Sequence, residues 1–555
     1  MNFMSIEKEP KGITRRTFIT GTTIGAAGIV VSSSLLAGCG ADEADQNKSD
    51  VDSAQGQTPE FMKAPDPIPD SKIKQTIEMD VCVVGSGTAG IVAALSAREA
   101  GAKVVVLEKY STFRYGGGYN AAINSKFQQN LGINIDTDQV MRDLMRYQES
   151  RPSESLIRLW ANHSGEIADW WLAKMEAAGE KAVVFAWPEP KGYDTKEFGY
   201  EYPTAINVAP EKVGDKQKIF LEVLHKDAVK QGVDIRFSTP AVQLIQSSDG
   251  KVTGVIAKDK SGNYIKVSTK KAVILCTGDY GSNEEMAQYY QTSTMAQLAK
   301  ANIYTSFMDE QPKERLNVGD GQKMCLWVGG QMEEGPHASM AWNLAEPMEA
   351  AIMPFLRVNG LGERYEREET NMMQRVNALE RQPGKKAWVI FDSKYVEDSV
   401  KMGFFFMGGS MTMENATEAI EKNCIKANTL DELAQKLKMP AATLKATVAR
   451  RNELAQQGND TDYGVLPQRL HTIEKAPFYA ARITAGLAVT LGGIKVNDKL
   501  QPRDKDGKAI PGLYLAGNTV GERYGLFYTA VCPGISNGLA WTHGYFAGKW
   551  AAEQA

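Results

Sequence analysis

One stretch constrains this chain more than any other: "MDVCVVGSGTAGIVAALSAREAGAKVVVLEK", Met79 to Lys109. Met79–Val84 is a short apolar run suited to a strand buried on both faces. A G-x-G-x-x-G turn follows as Gly85, Gly87 and Gly90, then "IVAALSAREAG" with helical spacing, then a second apolar strand, "KVVVLEK". Glu108 closes that strand about 18 residues past Gly90, where a carboxylate accepts hydrogen bonds from an adenosine ribose. A lone G-x-G-x-x-G says little. Strand, turn, helix, strand and acid in this order predict a dinucleotide site in a doubly wound, Rossmann-like α/β fold. Gly85 makes the tight turn and Gly87 lets the backbone approach a pyrophosphate. Ala89 and Gly90 open a helix whose N-terminus faces its charge. Glu108 and Lys109 are the candidates at the ribose.

The 555 residues, 43% hydrophobic with a net charge of -4, leave room for several domains and a large core. A near-neutral balance with 5 histidines argues against nucleic-acid binding. The six cysteines are scattered with no C-x-x-C pair, so a zinc site, a close-spaced iron–sulfur cluster and a haem attachment are unsupported, and no metal is expected. The N-terminus reads as an address. "ITRRTFITG" carries the pair Arg15-Arg16 followed by Phe18, and "IGAAGIVVSSSLLAGC" is apolar but short and rich in Gly and Ser, as in a twin-arginine export signal. The run ends in "LAGC", which resembles a lipoprotein processing site with Cys39 as the lipidated residue. The polar stretch behind it has no periodicity and reads as a flexible tether. The expected organisation is a signal over 1–39 and a tether over 40–75, with the protein periplasmic or anchored by Cys39 to the outer face of the cell membrane. Export of an already folded chain suits one that loads a non-covalent cofactor first.

Three later stretches favour FAD over NAD. "RYGGGYNAAIN", Arg114 to Asn124, resembles the segment that lies against the flavin in the fumarate-reductase flavoprotein superfamily, with Gly117, Gly118, Asn120 and Ala121 as contacts. "KAVILCTGDYGSN" resembles that family's returning strand at the adenine end, ending in Thr277-Gly278, with Val242 and Asp320 as further candidates. "PGLYLAGNTVG", with Gly517 and Asn518, resembles the strand that leads back to the isoalloxazine. No second G-x-G-x-x-G follows a strand, so electrons are expected from a membrane or cytochrome partner. The chain thus resembles the FAD-dependent fumarate reductase and flavocytochrome c family, and its neighbours the 3-ketosteroid dehydrogenases, from Met79 to the C-terminus. "NVGDGQKM", "LRVNGLGERYE" and "TLDELAQKLKMPAATLKATVARRNEL", a helix pair with a capping box from Thr429 to Glu432, extend the likeness. The resemblance implies an FAD domain (76–290 and, after the helix pair, within 426–555) interrupted by a mobile capping domain (291–425). It also implies hydride transfer from flavin N5 to one carbon of an activated C=C bond, with a protein acid protonating the other.

The details turn away from fumarate. Where the family's His-Thr-x-Gly-Gly motif has histidine, "VTLGGI" has Val489. Met372 takes the place of the proton-donating arginine, and Val531 that of the arginine before the closing helix. Fumarate, and urocanate-like carboxylates with it, are therefore not expected. "CPGISNGLAWTHGYFAG" resembles the steroid enzymes' Tyr-Pro-Gly-x-Gly segment, but with Cys532 for the tyrosine and Ser536 for the second glycine. The resemblance places Gly534, Ile535, Ser536 and Asn537 at the flavin, their N–H groups directed at C2=O. Gly538, Ala540, Gly544 and Ala547 recur at helical spacing and predict close packing against the FAD domain. Arg523, Tyr524 and Tyr528, with Tyr119 in the Gly-rich segment, are the candidates for acid chemistry, a phenol of pKa about 10 being suited to protonating an enolate-like carbon. Arg364 is expected to be structural, His337 to line the pocket, and His163 and His543 to pack. "PHASMAWNLAEPMEAAIMPFL" is dense in Met, Trp and Pro, which suits an apolar substrate surface. The expected activity is reduction of an α,β-unsaturated carbonyl compound, apolar or aromatic. The alternatives are a ketosteroid-type dehydrogenase and a non-catalytic binding lipoprotein.

Overall fold

The computed structural model describes residues 58–184, 202–208, 216–292, 295–296, 317–347, 350, 353–370, 374–402, 413–529 and 531–554. Arg15, Arg16, Cys39 and Met372 lie outside the described residues.

The apolar runs become parallel strands. β1 (Ile73–Val84) and β2 (Val104–Leu107) pair in register Val84↔Leu107, and Val81–Val84 and all of β2 are buried, as strands covered on both faces require. Helix α1 (Thr88–Glu99) joins them from Gly87. The chain then makes a small sheet of β3 (Asn120–Ala121), β4 (Ala182–Val184) and β5 (Ala205–Val208), interrupted by the long helix α2 (Glu154–Ala177). After α3 (Lys216–Lys230) it returns with β6 (Asp234–Arg236), β7 (Ala241–Gln246), β8 (Val252–Lys258) and β9 (Tyr264–Leu275). Beyond α4 (Asp320–Trp327) a second, antiparallel sheet is built from β10 (Ser339–Glu346), β11 (Leu356–Asn359), β12 (Ala387–Asp392), β13 (Ile425–Ala427) and β14 (Phe478–Thr490). Helices α5 (Leu430–Leu437) and α6 (Ala441–Gln457) lie between β13 and β14 in the chain. β15 (Leu513–Leu515) then rejoins β9, and α7 (Ile535–Glu553) packs along α1. The first sheet has the order β6-β2-β1-β9-β8-β7, with β15 paired to β9. This is the α/β architecture expected. Trp171, at the centre of the core, meets Phe220 of α3 and Trp541 of α7 edge-on at 5.1 and 5.9 Å.

Three expectations are corrected. The tether does not run to residue 75: Phe61 is buried against Tyr289 and Tyr290 at 5.7 Å, Trp327 Nε1 donates to its carbonyl, and β1 begins at Ile73. A single anchoring aromatic has no periodicity to betray it. The second sheet does not end at 425, because β14 pairs with β10, β12 and β13 across the chain. Such non-local antiparallel pairing leaves no local signal. The capping box at Thr429 is half formed. Thr429 Oγ1 accepts from Glu432 N, but the Glu432 carboxylate reaches Asn428 N instead of closing on Thr429.

Candidate functional site

Val84 pairs with Leu107 and Leu275, and Leu275 with Leu515, so β1, β2, β9 and β15 end along one edge. Gly85, Glu108, Cys276 and Ala516 leave the sheet there, at the crevice where open α/β sheets bind ligands. Two of the three fingerprint glycines are demanded by the protein itself. Gly85 has φ +97° and a Cβ on it would stand 2.3 Å from Cys276 O, while a Cβ on Gly90 would stand 1.9 Å from Gly85 O. Gly87 differs: its backbone is extended, and a Cβ would meet only Arg114 O at 3.6 Å. The crevice, not the protein, asks for glycine at that point.

Glu108 is buried, its Oε2 accepting from Ser86 N and Oγ at 2.8 and 2.9 Å and its Oε1 from Tyr110 N at 3.0 Å, which leaves lone pairs for ribose hydroxyls. Lys109 Nζ pairs with Asp320, the first residue of α4, at 2.9 Å. Burial opposes the Asp320 charge, but Lys109 and Lys323 outweigh it and hold the carboxyl below its usual range. Gly321 N donates to Thr277 Oγ1, Thr277 N donates to Thr519 Oγ1, and Gln322 Nε2 reaches both Gly278 O and Asn518 O. Thr239 N, just before β7 and Val242, donates to Glu108 O. The expected adenosine-side residues therefore converge.

The expected flavin-side residues converge too. Gly534 (φ +85°) caps α7, and a Cβ there would stand 2.7 Å from Tyr119 C. Ala121 N donates to Gly534 O, and Asn537 Nδ2 donates to Gly116 O and Tyr119 O. The segment from Gly117 through Gly118 to Ala121 thus lies along the start of α7. Ile535, Ser536 and Asn537 form its first turn, with no side-chain cap, so the turn presents N–H donors. Gly517 (φ +70°) approaches Ala89, a Cβ on it reaching 3.0 Å from the Ala89 Cβ. Gln217 of α3, which carries no motif signal, ties the two ends together. It accepts from Asn120 Nδ2 and donates to Thr88 Oγ1 in the first turn of α1. Asn120 Oδ1 and Gln322 Oε1 are buried along this crevice without a partner among the described residues. An open cradle at Gly87, a ribose carboxylate, two helix N-termini and unpaired amide oxygens fit a dinucleotide.

The family model described as FAD binding domain matches residues 80–537. The chain belongs to this family. FAD is its cofactor, and the flavoprotein is an oxidoreductase. It is 28% identical to the vinyl phenol reductase of Lactiplantibacillus plantarum, over 85% of this chain and 96% of that one. It is 27% identical to the fumarate reductase (cytochrome) of Shewanella frigidimarina, over 80% of this chain and 73% of the other. In fold it resembles the 3-ketosteroid-delta4-(5alpha)-dehydrogenase of Rhodococcus jostii RHA1, with 22% identity, a TM-score of 0.71, and coverage of 88% of this chain and 100% of that one.

Beside the flavin-side wall, Tyr524, Tyr528, Val531 and Cys532 are buried in one hydrophobic cluster with Ala121, Trp160 and Ile535, and Met340 and Val489 pack on it. Both described positions at which the fumarate-reductase resemblance calls for a cation are thus apolar, Val531 within the tyrosines' cluster and Val489 packed against it. The Tyr524 and Tyr528 rings are 5.7 Å apart, and burial raises the Tyr524 phenol while neighbouring Arg523 opposes the shift. Burial pushes Tyr119 up to about 12.

Arg523 does not spend its Nε and Nη2 on the apolar cluster, and its Nη1 is buried without a hydrogen-bond partner among the described residues. Its Nε donates to Val520 O and its Nη2 to Asn518 Oδ1 and Leu491 O, bracing the loop from beneath. His337 does not line the apolar cluster either; its ring stacks on Tyr290 at 4.4 Å and bonds to Tyr280 Oη. His543 packs in α7 against Leu156 O, and His163, half-buried, packs edge-on against Phe546 of α7 at 4.9 Å with Glu166 beside it. Arg364 is structural, forking onto Glu368 and Asp460.

Proposed function

We propose that this flavoprotein reduces an activated C=C bond in a neutral, apolar or aromatic molecule, with electrons delivered by a membrane or cytochrome donor. The observation that carries this reading is the placement of Val489 and Val531 in the apolar cluster with Tyr524 and Tyr528. A dicarboxylate there forfeits charge-assisted hydrogen bonds worth about 1.5–3 kcal/mol each and is desolvated against hydrocarbon. The relative named for a vinyl phenol, a molecule without a carboxylate, supports the same choice.

The cofactor, when bound, supplies hydride chemistry at its flavin ring. Gly87 and the first turn of α1 receive the pyrophosphate, and Glu108 orients the ribose. The uncapped N–H groups of Ser536 and Asn537 favour negative charge at the ring edge they face. The cluster excludes water and binds the alkene's apolar body. Tyr528 gives a proton to the carbon left electron-rich, with Tyr524 beside it. The electron donor meets the enzyme at the outer face of the membrane, where lipidated Cys39 holds it. Mass spectrometry of the membrane-extracted protein tests the anchor: an unmodified Cys39, or an intact signal, overturns it.

Reduced viologen supplied with a panel of vinyl phenols, enones, unsaturated lactones and fumarate tests the substrate class. Reoxidation is expected with the uncharged alkenes, and fumarate as the best substrate sinks the reading. Tyr528→Phe should lower kcat by about 10²–10⁴-fold, the usual worth of a positioned acid, and undiminished turnover removes Tyr528 from that role.

A further inference from the structure

Where β10 begins and β14 ends, beside the cofactor domain, a group of buried polar side chains takes no part in the chemistry above. Ser339 and Thr490 pair there across the two strands, and a bulge follows at once between Met340 and Ala341. On the β14 side, Asp279 Oδ2 accepts from Thr490 N at 2.7 Å and from Thr490 Oγ1 at 3.3 Å, and Tyr280 N donates to the same Oγ1 at 3.2 Å. On the β10 side, Ser339 Oγ donates to Gln291 Oε1 at 2.5 Å and Gln291 Nε2 donates to Tyr280 Oη at 2.6 Å. Tyr280 Oη donates in turn to His337 Nδ1 at 2.6 Å, and His337 Nε2 donates to Glu333 O at 2.9 Å. Every donor points the same way, which fixes the neutral His337 with its proton on Nε2. Burial agrees, lowering the imidazole to about 4.

Both arms end on backbone that carries the substrate site. Val489 immediately precedes Thr490, Tyr528 N donates to Ser339 O at 3.2 Å, and Ser339 bridges Phe527. We propose that Asp279 and Tyr280 are positioning residues that clasp the Ser339–Thr490 pair to the cofactor domain, holding Val489 and Tyr528 fixed while the second sheet flexes beyond the bulge. A two-stranded ribbon is marginal by itself and twists readily, so a ribbon that sets the position of a proton donor needs an external restraint. Hydrocarbon would fill the same space without desolvation cost, but hydrogen bonds directed at both strands specify one register. The restraint is applied at paired positions, one on each strand, so neither can slide past the other. Asp279 and Tyr280 lie in the stretch that resembles the returning strand and Gln291 matches no motif, but nothing in the chain's spacing links them to Ser339 and Thr490.

The proposal rests on the placement of the substrate site given above, and its test separates the two. Hydrogen exchange by mass spectrometry on the FAD-loaded protein compares wild type with Tyr280→Phe, Thr490→Val and the conservative Thr490→Ser. Exchange over residues 336–341, 487–492 and 525–529 should quicken about tenfold in the first two variants and stay near wild type in Thr490→Ser, as a loss of one restraining bond predicts. Peptides from β1 and β9 should not change. In the viologen assay kcat should fall by a similar factor with a smaller change in KM, and Thr490→Ser should restore it. Unchanged exchange at those segments, or exchange raised evenly through the chain, overturns the clasp whether or not the substrate class is right. If Tyr280→Phe does not fold, the contrast between Thr490→Val and Thr490→Ser decides the matter by the same readouts.

Discussion

At the scale of single residues, the three fingerprint glycines should fail in different ways. Gly87→Ala places its methyl 3.6 Å from the nearest protein atom, so the apoprotein should keep its thermal stability while FAD affinity falls at least tenfold in a fluorescence titration. Gly90→Ala drives its methyl into Gly85 O and should lower apoprotein stability by about 1–3 kcal/mol. Glu333 gives a pH signature. Its carboxylate accepts from Gly493 N and Glu522 N, and burial raises it from 4.5 to about 7 even though those N–H groups and Arg523 pull the other way. Between these values the folded chain keeps a proton that the unfolded chain releases. Stability therefore falls as pH rises from about 4.5 to 7 and is level above that. Melting temperatures across this range should show the decline, and Glu333→Gln, which does not titrate, should flatten it. The place of Gly87 and Glu108 at the strand ends of the crevice was legible in the chain, because fixed spacing sets it. Gln217, Asp279 and Tyr280 were not, because each acts through partners far away in sequence. Arg523 was legible only as a neighbour of the tyrosines: proximity in sequence does not say which way a guanidinium points.

At the scale of elements, α7 answers to α1. A Cβ on Gly544 would stand 2.4 Å from Ala89 O, and one on Gly548 would stand 2.2 Å from Ala93 O. Both helices offer their N-termini to the crevice, so pushing them apart would disturb both ends of the proposed FAD site together. Gly544→Ala should cost about 1–3 kcal/mol in denaturant unfolding and speed FAD release, whereas Ala551→Gly, elsewhere on α7, should leave FAD release unchanged. The recurrence of small residues in α7 made this packing readable beforehand, as did the continuous apolar runs of β1, β2 and β9. The second sheet was not readable to its end, since β14 looks locally like any strand and its partners lie up to some 150 residues earlier. The anchoring of residues 58–72 through Phe61 was missed because one side chain supplies it.

At the scale of the whole molecule, the part of the chain beyond β10 carries its own charged keystone. Arg364 forks onto Glu368 and Asp460, both fully buried at their side chains. Burial works against the Asp460 charge, but Arg364 and backbone N–H groups prevail and hold that carboxyl below its ordinary range. A depressed carboxyl contributes stability above its unfolded pKa of about 3.9 and loses it as pH falls below that value. Arg364→Met leaves buried Asp460 without its guanidinium and Glu368 with only Arg451, at 3.5 Å, and should cost about 3–5 kcal/mol, read by denaturant unfolding at pH 7 with FAD content unchanged per folded molecule. The path of the chain has a broader consequence. It enters and leaves the second sheet through Ser339 and Thr490, neighbours on antiparallel strands whose α-carbons lie about 5 Å apart. An insert joined at two adjoining points can be exchanged as a cassette without rerouting the rest. Residues 341–488 can thus be replaced while Val489, Val531, Tyr524 and Tyr528, which all lie outside that span, stay with the cofactor domain.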